Sequence, residues 1–123
     1  MTRTLRSLFK EAKIFGFVKG EDLLEHSFHT GKIYFHVLDQ NMSSTGGRLY
    51  GHEVASKVKG LLHGEHYTIS MSGNQISVAE RKEFDLLWDK PPPPNDEIVN
   101  QIRNLTKNID WIVTCGGVAT TPS

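Results

Sequence analysis

The chain has 123 residues, of which 37% are hydrophobic and 23% are charged, with 14 basic and 14 acidic side chains. That length suits one domain with an ordinary hydrophobic core, so we predict a single domain over residues 1–123. The zero net charge argues against a protein that coats nucleic acid through its bulk charge. Any nucleic-acid contact would need a local basic patch.

The sequence also bears on compartment and on membrane association. Cys115 is the only cysteine, so no internal disulfide can form and a reduced, cytoplasmic setting is favoured. Residues 1–20 include basic side chains but lack the continuous apolar core of a signal peptide. No run approaches the roughly 18 apolar residues of a membrane-spanning helix. We therefore expect no membrane partner.

Apolar spacing predicts a helix at the N-terminus, within residues 1–16. Leucine, phenylalanine and alanine recur at helical intervals over residues 4–15, and Gly16 is a natural stop. This helix would pack on the core, or its basic remainder would contact a membrane, a protein partner or nucleic acid. Residues 17–30 read as an irregular connection with a short turn of helix at 21–25.

The core is predicted over residues 32–115. Residues 32–38 form a strand, 39–50 a loop, 51–62 a helix and 66–71 a second strand. Turn residues at 72–75 lead to a returning strand that begins with Ile76 and Val78. Four prolines at 91–94 predict a stiff connector, followed by a helix over about 95–107 and a strand at 111–114.

From residue 32 onward this order is β-α-β-β-α-β, preceded by one extra helix. It predicts an α+β domain of the ferredoxin-like kind, a sandwich of an antiparallel sheet with helices on one face. A three-layer α/β fold is the alternative. Ferredoxin-like sheets serve many unrelated purposes, so the fold alone does not select a function.

The loop between the first core strand and its helix is the best candidate for ligand binding. Backbone amides at a helix N-terminus favour anions, and glycines allow phosphate oxygens to approach closely. Lys57 and Lys59 follow on the helix. The loop lacks the spacing of a P-loop or a dinucleotide fingerprint, and a flexible polar loop is the alternative interpretation. The predicted loop ligands are Ser43, Ser44, Thr45, Gly46, Gly47 and Arg48.

Residues 33–38, IYFHVL, resemble the first ribonucleoprotein segment of RNA-recognition motifs. In that family an aromatic residue of the first strand stacks on a base, so the resemblance implies that Tyr34 binds the ligand. The family's third strand supplies a basic residue and two aromatic residues, where this chain reads GNQISVAE. The alternative is that Tyr34 packs beneath a helix or a loop.

Histidines form two H-x-x-H pairs. If the pairs met in space they could bind zinc, and zinc with an open position could activate water; surface histidines in turns are the alternative. Residues 66–69, HYTI, also resemble one of the two motifs of two-histidine phosphoesterases, an enzyme class that needs a second copy. The candidate metal ligands are His26, His29, His63 and His66.

Two features lie near the end of the chain. Cys115 beside an imidazole could act as a nucleophile, with open amides from the glycines that follow it; a small buried residue is the alternative.

Residues 95–121 are similar to the helix–strand–glycine stretch of molybdopterin-binding domains, in which a strand ends in T-x-G-G and a further threonine precedes an aspartate. We interpret this similarity as a convergent strand and glycine turn. The matching residues are Thr114, Gly116, Gly117 and Thr120 or Thr121.

These observations define three classes of function. The first is a small, non-enzymatic, homo-oligomeric binding or regulatory protein without a cofactor, whose ligand is a nucleotide or a nucleic-acid backbone. The second is a histidine-dependent metal hydrolase with zinc, or a phosphoesterase. The third is an adaptor or inhibitor that binds a protein partner through the N-terminal helix and an exposed sheet edge.

Overall fold

A computed structural model describes residues 6–26, 28–42, 46–62, 64–70, 76–87 and 96–116. In these ranges five strands form one sheet in the order β1-β5-β2-β3-β4. The strands are β1 (Lys13–Phe17), β2 (Tyr34–Leu38), β3 (His66–Ser70), β4 (Leu86–Leu87) and β5 (Trp111–Cys115). The helices between them are α1 (Gly20–Glu25), α2 (Gly51–Leu61), α3 (Val78–Arg81) and α4 (Asp96–Leu105). Residues 6–8 are also helical. Across the described ranges, every helix is too short or too polar to span a bilayer.

The direction of the strands corrects the predicted ferredoxin-like sandwich. Neighbouring strands in that arrangement run antiparallel, whereas β2 is parallel to both β3 and β5, and β1 is parallel to β5. All five residues of β2 and of β5 are buried, which is typical of inner parallel strands covered on both faces. The domain therefore mixes helices with a single parallel sheet, as in the alternative α/β prediction.

The N-terminal segment differs most from its prediction. A helix over residues 1–16 was expected, but in the described part only residues 6–8 are helical and β1 begins at Lys13. An isolated helix of about twelve residues is marginal in water. The parallel ladder to β5, in which Ile14 pairs with Ile112, instead satisfies the backbone of this segment. The short helix predicted at residues 21–25 is confirmed as α1.

The predicted returning strand at Ile76 and Val78 is wrong, because helix α3 begins there. Ser77 Oγ accepts a hydrogen bond from the Glu80 amide at 3.3 Å, and the Ser77 amide donates to Glu80 Oε2 at 3.1 Å. This reciprocal pair is a capping box, which fixes a helix start. The chain then enters β4, parallel to β3. The predicted turn at 72–75 and the prolines at 91–94 lie outside the described residues.

Buried side chains form one cluster on each face of the sheet, so the sheet is covered on both sides. On the first face, strand residues such as Tyr34 and Leu38 pack with α1 and α2. On the second face, Phe35 and Val37 pack with Phe9 and with α4. Because all strands are parallel, their carboxyl ends share one edge, which we call the carboxyl edge. Ligands of open α/β sheets bind at that edge, and the loop of residues 39–50 lies there, as its position between β2 and α2 requires.

Candidate ligand site at the carboxyl edge of the sheet

The loop between β2 and α2 makes a tight turn that depends on its two glycines. Gly46 has a φ of +85°, in the left-handed region that glycine tolerates best. The Gly47 amide donates to the Met42 carbonyl at 3.0 Å. A Cβ at Gly47 would lie 2.9 Å from Met42 Cβ, so a larger residue would displace the buried Met42 side chain. Ser43, Ser44 and Thr45 lie outside the described residues.

A carboxylate from α1 already occupies the amides that follow these glycines. The Arg48 amide donates to Glu21 Oε1 at 3.2 Å and to Oε2 at 3.4 Å, and the Leu49 amide donates to Oε1 at 3.1 Å. Two consecutive N–H groups thus converge on one carboxylate 27 residues earlier in the chain. The loop therefore has the geometry of an anion-binding turn, and its anion is internal.

The first amides of α2 also have internal acceptors. The Gly51 amide donates to the Gln40 carbonyl at 2.9 Å, and the His52 amide donates to Gln40 Oε1 at 3.0 Å. The Tyr50 amide donates to Glu53 Oε1 at 3.0 Å. The sequence-based prediction assumed free amides at this helix N-terminus, and that assumption is wrong for residues 47–52. A ligand anion would have to displace a protein group.

Positive charge near the loop comes from two described side chains. Arg48 is exposed. The aliphatic stem of Lys19 also passes close by, because a Cβ at Gly46 would lie 3.9 Å from Lys19 Cδ. The predicted ligand Lys57 is exposed, but it lies six residues into α2, which corresponds to about 9 Å along the helix axis. The loop thus has two nearby bases and one competing carboxylate.

A polar cavity of about 470 Å³ adjoins this loop and has a different character. Its lining residues are Gln40, Asn41, Tyr50, His52, Glu53 and Glu80. Gln40 is 7% exposed, and its Nε2 donates to His52 Nδ1 at 2.8 Å. An amide nitrogen can only donate, so His52 Nδ1 is the acceptor in that contact. Because the described lining includes two carboxylates but neither lysine nor arginine, this cavity disfavours an anion.

Tyr34, predicted to contact ligand, is fully buried at the start of β2. Its hydroxyl accepts a hydrogen bond from the His29 amide at 2.7 Å. Its ring lies 5.0 Å, edge to face, from Phe28 and 5.9 Å, nearly parallel, from Trp111. No ring face is open to a nucleotide base, so Tyr34 packs beneath a loop, as the alternative interpretation held.

Three of the four predicted histidine metal ligands, His26, His29 and His66, lie in the described part of the chain. Among the described residues, no three histidine, cysteine, aspartate or glutamate side chains are placed to hold a metal ion. His29 is exposed and stacks on Trp111 at 5.5 Å. His26 instead packs among the aromatic rings of Phe15 and Phe17. His66 begins β3, and His63 lies outside the described residues.

His36 lies in the middle of the central strand β2 and is not among the predicted site residues. It is fully buried, and burial lowers its pKa to about 3, with the nearby His66 and His26 adding to the effect. A contact with the backbone of Tyr67 partly opposes this lowering, but its geometry falls short of a hydrogen bond to either ring nitrogen. A sequence signal for His36 existed, since a histidine within an otherwise apolar strand occupies a buried position.

The surroundings of Cys115 do not favour the reactive thiolate form of its side chain. It is buried, and its sulfur lies 3.5 Å from Met42 Sδ. Burial raises the pKa of its thiol to about 12, and the carboxylate of Glu21 adds to the increase. A thiolate is the reactive form of cysteine, so this environment opposes catalysis. The interpretation of Cys115 as a small buried residue is confirmed.

No protein family, curated protein or solved structure matches this chain. The similarity to molybdopterin-binding domains thus stays local to α4 and β5. Gly116 ends β5 with a φ of +90°, and Gly117, Thr120 and Thr121 lie outside the described residues. The fold and the site together define a small α/β domain with a parallel sheet and, at its carboxyl edge, a turn whose Arg48 and Leu49 amides bind the Glu21 carboxylate.

Proposed function

We propose that the chain is a small binding protein that recognises an anionic group, the phosphate of a nucleotide or of a nucleic-acid backbone, at residues 46–49. The observation that supports this proposal is the convergence of two consecutive amides on one carboxylate. In this mechanism the ligand displaces the Glu21 side chain and accepts hydrogen bonds from the Arg48 and Leu49 amides. Arg48 and Lys19 then pair with the phosphate charge.

The energy of displacement sets the expected size of the effect. Hydrogen bonds to a charged group contribute about 1.5–3 kcal/mol when well shielded. Because Glu21 is half-buried and its bonds are 3.1–3.4 Å long, we expect a value near the lower limit. About 1.4 kcal/mol corresponds to a tenfold change in affinity. Removing Glu21 should therefore tighten phosphate binding about tenfold.

The test compares Glu21→Ala with the wild-type protein and with the control Glu25→Ala, which removes an exposed carboxylate from the same helix. Inorganic phosphate, ATP and a single-stranded oligonucleotide are titrated while the amide resonances of Arg48 and Leu49 are followed by NMR. We expect Glu21→Ala to bind about tenfold more tightly, and Glu25→Ala to behave like the wild type.

A second substitution locates the ligand. Arg48→Ala in the Glu21→Ala background should weaken binding again, because it removes the exposed cation beside the two amides. Gly47 is not a suitable position for this test, since any Cβ there would press on Met42. If the Glu21→Ala protein binds none of the three probes, or if binding leaves the Arg48 and Leu49 resonances unmoved, the proposed function is refuted.

A further inference from the structure

Three histidine rings on the first face of the sheet contain buried nitrogen atoms without partners. The atoms that lack a hydrogen bond within the described part of the chain are Nε2 of His26, both ring nitrogens of His36 and Nδ1 of His66. Buried polar atoms in proteins are nearly always hydrogen-bonded. Four unpaired nitrogens in one region are therefore a costly feature that packing alone does not require.

The strand register and the ring contacts bring these histidines together. His36 of β2 pairs with Thr68 of β3, two residues beyond His66 on the same face. The ring of Phe28 lies 5.8 Å from His36 and 5.7 Å from His26, edge to face in both cases. Phe28 therefore contacts both histidines and covers His36 on the side away from the sheet.

The charged surroundings of this cluster discourage protonation in the packed state. Burial lowers the pKa of His36 most, and His66 of β3 and His26 at the end of α1 each add to the lowering. Tyr34 on the same strand contributes an aromatic ring 6.0 Å away. Burial lowers the pKa of His66, Asp85 partly opposes this lowering, and the charge of Lys59 adds to it.

We propose that His26, His36 and His66 form an acid-operated latch that holds residues 28–32 against the sheet and releases them when the cluster takes up protons. In the released state Phe28 moves away and His36 reaches water. The cover is thin, because residues 29–32 are exposed. Release is local, because in the described part of the chain the fully packed members of the second-face cluster are all apolar and none of them takes up a proton.

Trp111 is a built-in reporter of this latch. Its ring lies 4.5 Å from Phe15 and 5.5 Å from His29, so moving residues 28–32 changes its surroundings. The other tryptophan, Trp88, is replaced by phenylalanine (W88F) to isolate the signal. Between pH 7.5 and pH 4 we expect a step in Trp111 emission that takes up more than one proton. Amide exchange at Ile33 and Tyr34 should accelerate in the same step, while the far-UV circular dichroism is retained.

Two substitutions assign the step to the cluster. His36→Leu, in the W88F background, should abolish it, because no proton can bind at the buried position. His52→Asn, which changes a histidine of the carboxyl edge outside the cluster, should leave the midpoint within about 0.2 pH unit, since distant sites act independently. A step that persists in His36→Leu would overturn the proposal.

The imidazole resonance of His36 in the wild-type chain gives the answer if His36→Leu does not fold. We expect this resonance to stay in its neutral position until the emission step and to shift within it. Titration of His36 as a single, independent group near the ordinary histidine pKa would overturn the latch. Loss of the circular dichroism in the same step as the emission change would also overturn it, because release would then be global unfolding.

Discussion

The contact between α1 and α2 offers a sharp test of the packing that positions Glu21. Gly20, the first residue of α1, is buried against α2, and a Cβ built on it would lie 2.3 Å from Val54 Cγ2. Val54 is fully buried, so this methyl group cannot move into solvent. We predict that Gly20→Ala lowers the free energy of unfolding by about 1–3 kcal/mol, the usual cost of overpacking a core.

A double-mutant cycle tests the stated cause of that loss. Val54→Ala alone removes two methyl groups and should cost about 2–3 kcal/mol from lost burial and the cavity left behind. In the double variant the new methyl at position 20 enters the space that Val54 vacated. The combined loss should therefore fall short of the sum by at least about 1 kcal/mol, a coupling energy that contacting residues commonly show.

The assay is urea unfolding followed by circular dichroism, with Gly60→Ala as the matched control. Gly60 lies in α2, and a Cβ there would meet nothing within 4 Å. Alanine at an open helix position stabilises by about 0.5–1 kcal/mol, so the control should move in the opposite direction. Additive losses in the cycle, or a Gly20→Ala variant as stable as Gly60→Ala, would refute the close contact between α1 and α2.

Two further predictions concern Asp85 and Cys115. Asp85 Oδ2 accepts hydrogen bonds from the Thr68 amide at 2.7 Å and from the Thr68 hydroxyl at 3.2 Å. Asp85→Ala should therefore lower the free energy of unfolding, measured in urea, by about 1–2 kcal/mol. An equal loss in the control Asp22→Ala would contradict this role of Asp85. Because the pKa of Cys115 is raised from 9.0 to about 12, its thiolate population at pH 8 is about a thousandfold lower than that of an unperturbed thiol. Its reaction with a disulfide reagent should therefore be strongly slowed, both by the low thiolate population and by burial, until urea unfolds the chain. Fast labelling of the native protein would contradict the burial of this thiol.

Apolar periodicity along the sequence predicted the inner strands of the sheet correctly and failed at the edge strand. The strands β2, β3 and β5 and the helices α2 and α4 are where apolar periodicity placed them. The edge strand β1 was predicted as a helix, because its neighbours are apolar at helical spacing and its partner β5 lies nearly a hundred residues later. The start of α3 was visible in the sequence as Ser77 followed three residues later by Glu80, a capping-box signature.

Strand direction was the larger error, and it had a readable signal. A continuous apolar run with no outward polar positions is typical of parallel strands covered on both faces, and β5 has that character with all five residues buried. The site could be predicted only in part. Gly46 and Gly47 marked the position of the turn, but the Glu21 carboxylate that its amides bind comes from another element, and no local pattern links residues 27 positions apart.

Helix α1 connects the two features on which the functional proposals depend. Its first turn contributes Glu21 to the amides of the carboxyl-edge loop, and its C-cap residue His26 reaches the ring of Phe28. A six-residue helix is only about 9 Å long, so the two contacts are made by one small rigid body. Gly20 fixes that body against Val54 with almost no free space. We therefore expect a displacement of α1 at one end to move the other, because a tilt of this short helix shifts the backbone of both Glu21 and His26.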